Sequence, residues 1–242
     1  MSNVYFTADT HYAHKNIASK NGSNWKEGFR DYESLDEMNK DLVKRINQTV
    51  KADDVLYHLG DWSFGGIEQI WNFRKQVNCK NIHLILGNHD HHIEEDKVLP
   101  NIHYEVNHLD ENGYYIPVEG PAVFQAHPAN LQVIAKEVFK SVSHYKEVKL
   151  NGRIFVLSHY GHRVWHGSHK GWIHLYGHSH DSLPPYGKSM DVGIDTAIRM
   201  LGEARPFRVS EVIDFMDKQP LEFPDHHDLK TNTGKPQGSK RR

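Results

Sequence analysis

The chain has 242 residues, 38% hydrophobic and 25% charged, enough to bury one large core or two small ones. Lys plus Arg number 29 against 31 for Asp plus Glu, so the composition lacks the broad basic field of a non-specific nucleic-acid binder. The single cysteine, Cys79, excludes an internal disulfide framework and fits a reducing, cytoplasmic setting; no run approaches the length of a membrane span, and no signal peptide is read at the N-terminus. The 20 histidines are the compositional anomaly and raise the expectation of metal binding.

In chain order, Val4 to Ala8 reads as a buried strand that delivers Asp9 at its end. Ser34-Leu35-Asp36-Glu37 has the form of a capping box. Behind it Leu35, Met38, Leu42, Ile46 and Val50 recur every three or four residues, so an amphipathic helix is expected to about residue 50. Val55 to Leu59 is the next strand, followed by Gly60-Asp61. Ile67, Ile70, Trp71 and Val77 suggest a second helix. Ile82 to Leu86 is the third strand, ending at Gly87-Asn88-His89-Asp90. Strand and helix alternate, as in parallel βαβ units, whose functional groups gather at the carboxyl ends of the strands.

Residues 94–138 are less regular and hold Pro100, Pro117, Pro121 and Pro128. They read as an insertion over or beside the site, either a lid or an ordinary structural excursion, with a short helix near 129–140. Asn151-Gly152 between apolar runs signals a hairpin joining 145–150 to 154–157. Trp172 to Tyr176 is another strand and delivers Gly177-His178-Ser179-His180; Met190 to Asp195 reads as the next. The expected organisation is one domain over 1–221 and a polar, disordered tail over 222–242. There is no internal repeat.

Five segments end strand-like runs in metal-binding residue types: Asp9-Thr10-His11, Gly60-Asp61, Gly87-Asn88-His89-Asp90, Ser158-His159 and Gly177-His178-Ser179-His180. Two adjacent divalent metals need a bridging ligand, and a carboxylate can turn one oxygen to each. Asp61 is the candidate bridge. Asp9, His11 and His180 would complete one metal; Asn88, His159 and His178 the other. Mixed imidazole and oxygen donors suit manganese, iron, nickel or zinc, with manganese preferred here. Such a pair activates water and clamps phosphate oxygens. His89, beside Asn88, is placed to protonate the leaving alkoxide. Asp90 has either an orienting or a plain structural role. Taken singly, Asp9 could be a helix cap and His159 a core histidine; the five blocks in order are far more specific.

These blocks resemble the calcineurin-like metallophosphoesterases, over Val4 to about Asp195. The continuations His11-Tyr12-Ala13-His14-Lys15-Asn16-Ile17 and Met190 to Asp195 are similar to the small bacterial and bacteriophage members. The resemblance implies an α/β fold, a four-layer α/β/β/α sandwich with a dinuclear metal site at the strand ends, and the same ligand set. It implies attack of metal-bound hydroxide on a small phosphodiester or nucleotide-like substrate. A phosphomonoesterase is the alternative, and a non-catalytic metal-binding scaffold a weaker one. Gly60-Asp61-Trp62-Ser63-Phe64-Gly65-Gly66 lacks the arginine of the protein phosphatases in that family, and Asp90 replaces their glutamate, so a protein-phosphatase role is disfavoured. His14 and Asn16 are candidate contacts to substrate phosphate, as are Asn88 and Arg163, the last through its planar fork. Trp62 and Phe64 read first as packing residues, with stacking on a nucleobase as the minority alternative. The expected partner is a small phosphate ester; oligomeric state is left open.

Overall fold

The computed structural model describes residues 2–18, 30–99 and 133–222, together with the backbone of two short strands at 114–115 and 124–125. Most of the expected insertion and nearly all of the expected tail therefore lie outside the described residues.

The elements run β1 (Val4–Thr7), α1 (Lys15–Ala18), α2 (Leu35–Thr49), β2 (Val55–His58), α3 (Ile67–Arg74), β3 (Asn81–Ile85) and α4 (His91–Glu94). They continue with β4 (Tyr114–Tyr115), β5 (Phe124–Gln125), β6 (Ser141–Ser143), β7 (Tyr145–Leu150), β8 (Arg153–Ser158) and β9 (Ile173–Tyr176). The last are β10 (Ser189–Asp191), α5 (Ile194–Leu201), β11 (Phe207–Arg208) and α6 (Val209–Asp217). One sheet has the order β11-β1-β2-β3-β6, with β1, β2, β3 and β6 parallel and β11 antiparallel at the edge. The other has the order β10-β9-β8-β7, in which only the β7–β8 hairpin is antiparallel.

Strand alternation explains how the first sheet is covered on both faces. Tyr5, Leu56, Ile82 and Leu84 join Ile46 of α2 and Ile70 and Phe73 of α3 in one apolar cluster. The intervening Phe6 and Tyr57 turn the other way and meet Phe155, Leu157, Ile173 and Leu175 of the second sheet. Ala197, Val212 and Met216 of α5 and α6 extend this second cluster. Parallel pairing in register, with Thr7 opposite His58 and His58 opposite Leu84, ends β1, β2 and β3 along one edge. The loops that follow therefore emerge side by side.

Local chemistry sets the boundaries. Ser34 caps α2, its Oγ accepting from the Glu37 N–H at 3.1 Å, while Glu37 reaches past the cap to accept from the Glu33 N–H. Met38, Leu42 and Ile46 form the buried stripe of that helix. The Asn151-Gly152 turn has φ of 48° and 77°, which matches the right-handed twist of β7 and β8. Cys79 is buried and burial raises its thiol, so it is inert. No helix among the described residues is long and apolar enough to cross a membrane.

One expectation needs correction. Met190 to Asp195 is not one strand. The Asp191 carboxylate accepts from the Gly193 N–H at 2.6 Å, which turns the chain, and α5 starts at Ile194. The short helix expected near 129–140 is seen in the described part as one 3-10 turn, Ala135–Val138. Ala135 and Val138 are buried against the α3 side of the core, and packing fixes this turn with no helical repeat behind it.

Candidate metal centre

Every residue nominated as a ligand stands just after a strand: Asp9 and His11 after β1, Asp61 after β2, Asn88 after β3, His159 after β8, and His178 and His180 after β9. Five of them have left-handed backbone, with φ of 53° at Asp9, 46° at His11, 56° at Asp61, 65° at His178 and 46° at His180. Each such residue costs roughly 1–2 kcal/mol, so surrounding bonds must hold it. Asp90 does much of this. Its carboxylate accepts from the backbone N–H groups of Asp61 at 2.8 Å, Trp62 at 3.0 Å and Gly87 at 2.8 Å. Asp90 thus shapes the Asp61 loop. The loops are also too close for a side chain at two glycines. A Cβ at Gly60 would lie 2.4 Å from His159 Nδ1, and one at Gly87 would lie 2.3 Å from Asp61 Oδ1.

The donors converge in two groups, Asp9/His11/His180 and Asp61/His159/His178, with the donor atoms of each group within 4.8 Å of one another. Asn88 joins the second, its Oδ1 lying 3.0 Å from His159 Nε2 and 2.9 Å from His178 Nδ1. Asp61 lies between the groups. Its Oδ2 is 3.4 Å from His11 Nε2 and 3.6 Å from His159 Nε2, while Oδ1 accepts from the His89 N–H at 2.9 Å. The imidazoles are oriented from behind. His159 Nδ1 donates to the Leu59 carbonyl at 2.7 Å, leaving Nε2 with a lone pair toward Asn88. His180 Nδ1 donates to Asp195 at 2.8 Å and turns its Nε2 to within 3.3 Å of His11 Nε2.

The electrostatics of the two groups suit a bound cation. Burial, reinforced by Asp191 and Asp61, pushes the Asp9 carboxyl well above its ordinary value. Burial also pushes His11 and His159 down, keeping them as neutral donors. Inward lone pairs among crowded buried carboxylates are what a divalent cation satisfies, and the imidazole and oxygen donors of each group fit a first-row ion.

His89 and His14 are drawn to the first group. The His11 ring lies 5.4 Å from His89 and 5.2 Å from His14 between centroids. Burial lowers His14 to about 4, so it is uncharged at neutral pH. Asn16 is exposed on α1. Arg163 sits with its guanidinium 4.3 Å over the Tyr186 ring, in a separate cavity. Trp62 is wholly buried, its indole N–H donating to the Ile70 carbonyl, so packing is its role; Phe64 is 37% exposed.

Sequence reasoning missed Arg30 and Asp195. Arg30 is buried and grips both Asp195 oxygens at 3.0 Å, and it also donates to the carbonyls of Thr10 and Asp9. Burial works to raise Asp195, but the Arg30 charge and the bonds from His180 and Arg30 outweigh it and hold the carboxyl below its ordinary range. Asp195 closed the last family-like stretch and could have been nominated. Arg30 lies outside any motif.

This geometry agrees with sequence comparison. A family model for calcineurin-like phosphoesterases matches residues 2–205, and the chain belongs to that family. Its class is therefore that of the metal-dependent phosphoric ester hydrolases. A relative, the uncharacterised protein MJ1445 of Methanocaldococcus jannaschii, is 30% identical over 134 residues, covering 54% of this chain and 72% of its own. A solved structure of a protein of unknown function, AQ665 from Aquifex aeolicus, aligns with a TM-score of 0.49 at 17% identity, covering 89% of this chain and all of that one.

Proposed function

We propose that the chain is a dinuclear-metal phosphoesterase that hydrolyses a small phosphodiester or nucleotide-like substrate, with Asp61 as the bridge. One observation carries this reading: a single Asp61 oxygen stands 3.4 Å and 3.6 Å from imidazole nitrogens of the two donor groups. The reading takes residues 1–221 as one domain in a four-layer α/β/β/α sandwich, supported by the apolar cluster between the sheets. Asp9, His11 and His180 would hold one ion, and Asn88, His159 and His178 the other. Manganese is the first choice, with iron, nickel or zinc also suited to the donors.

Two divalent ions bound there would lower the pKa of a water toward neutrality and stabilise charge growing on the phosphate oxygens. The remaining work falls to the chain. The Asp61 carboxylate is fixed by the His89 N–H, so bridge and proton donor keep a constant relation. His89 protonates the leaving oxygen. His14, neutral and buried beside His11, hydrogen-bonds the phosphate without adding charge. Asn16 and Arg163 are not needed for this reading.

The test uses metal-stripped protein re-supplied with manganese, nickel, zinc or magnesium. Metal content is counted, and turnover is read on a phosphodiester, its monoester and a panel of nucleotides. The expected result is metal-dependent cleavage, faster on the diester, that Asp61→Asn lowers on the order of a thousandfold while stripping metal. Faster cleavage of the monoester would establish a phosphatase instead. Two bound ions with no turnover on any ester would favour the scaffold reading.

A further inference from the structure

His89 lines a cavity of about 260 Å³ together with Phe64, Gly65, Ile70, His92 and Ile93. The volume falls below the roughly 300–1,000 Å³ of sites that enclose a drug-sized ligand, so the cavity suits one part of a substrate. Its walls are mainly apolar, and no lysine or arginine stands among the described residues that line it. Its polar atoms come from Ser63, Asp90 and three histidines, and with no permanent cation on the wall it favours an uncharged group over a second phosphate.

Phe64 supplies a fixed aromatic face. Its ring stacks on His14 at 4.0 Å and meets His89 edge-on at 5.1 Å between centroids. With one side held by His14, the ring is still 37% exposed. Trp62, two residues earlier, is wholly buried, so this loop gives one aromatic to the core and one to the surface. His92, another lining residue, keeps a buried Nδ1 that has no hydrogen-bond partner among the described residues.

A general acid must reach the leaving oxygen within hydrogen-bond distance, so the group attached to that oxygen lies beside His89. We infer that this cavity is the leaving-group subsite and that it takes the base of a nucleoside, stacked on Phe64 with its polar edge toward His92. The inference rests on the phosphoesterase reading and adds its substrate class. Hydrolysis breaks the P–O bond to the nucleoside and forms a P–O bond to water. The His89 proton passes to the nucleoside hydroxyl, and a water proton restores His89. The products are a nucleoside or nucleotide with a free hydroxyl and the phosphate-bearing remainder.

The test titrates the manganese-loaded protein by calorimetry with adenosine, ribose and inorganic phosphate, next to turnover on a nucleotide diester. Adenosine should bind and ribose should not. Phe64→Ala and Phe64→Leu should weaken adenosine about five- to a hundredfold, the span of base–aromatic stacking, and leave phosphate within about twofold. Phe64→Tyr keeps the ring and should restore adenosine binding, which a purely space-filling role would not require. Turnover without measurable adenosine binding up to about 10 mM, or equal weakening of adenosine and phosphate by Phe64→Ala, overturns the subsite alone. Absence of turnover on every ester overturns the parent reading, and the leaving-group role with it.

Discussion

The two donor groups use the same residue types but are backed by different materials. Behind Asp9, His11 and His180 stands charge, because Asp195 orients His180 and is itself clamped by buried Arg30. Behind Asp61, His159 and His178 stands mostly backbone, the Leu59 carbonyl orienting His159 while the Asp90 and Asp9 carboxylates act on loop N–H groups and not on the imidazoles. His180 is partly covered, whereas His178 is exposed. Either acceptor fixes the ring and raises its basicity, and a charged carboxylate does so more strongly than a neutral carbonyl. The first group should therefore hold its ion more tightly, and the second should depend more on loop geometry.

Breaking the loop geometry should have the largest effect. Gly87→Ala places a Cβ against Asp61 Oδ1 and the Asp61 backbone nitrogen. We expect a loss of about 1–3 kcal/mol in stability, seen in urea melts, and a loss of the weaker ion by elemental analysis. Retention of two full-strength ions would refute a geometry-limited second group. Removing charge tests the first group: Asp195→Asn should lower its manganese affinity about ten- to a hundredfold and leave the second nearly unchanged, as resolved by calorimetry.

Acid should expose the uncharged side. Burial lowers His58 from an ordinary 6.5 to about 3 and His174 to about 4. A depressed folded value means that the stabilising contribution is complete above pH 6.5 and is lost as pH falls toward 4 and then 3. Each residue adds a slope of up to about 1.4 kcal/mol per pH unit in that window. Melts of the metal-free protein between pH 7 and 4 should show it, and His174→Gln should flatten part of it; an unchanged slope would remove His174 from the account. The smallest effect belongs to Tyr160, which packs edge-on against His178 at 4.7 Å and His159 at 5.0 Å. Tyr160→Ala should loosen the second group a fewfold, with no change at the first, in the same titration.

Much of the candidate site was legible because the nominated residues sit where short-range rules place them. An apolar strand followed by Asp, Asn or His marks a strand end, and parallel strands in register bring such ends to one edge. That reasoning grouped Asp9 with His11 and His180, and Asn88 with His159 and His178. The hairpin at Asn151-Gly152 and the helix behind Ser34 were readable for the same local reason. Tertiary structure alone decided the rest. Arg30 and Asp195 are 165 residues apart, and no periodicity in either segment announces their pairing. Trp62 and Phe64 share a loop and a chemical type, yet packing buries one and leaves the other as a surface face. Met190 to Asp195 has strand-forming composition, but a carboxylate turning back onto the Gly193 N–H ends the strand. Local chemistry along the chain marked which residues could bind; the fold decided where they meet and what stands behind them, because strand order, long-range charge pairing and burial depend on neighbours that the local chain does not contain.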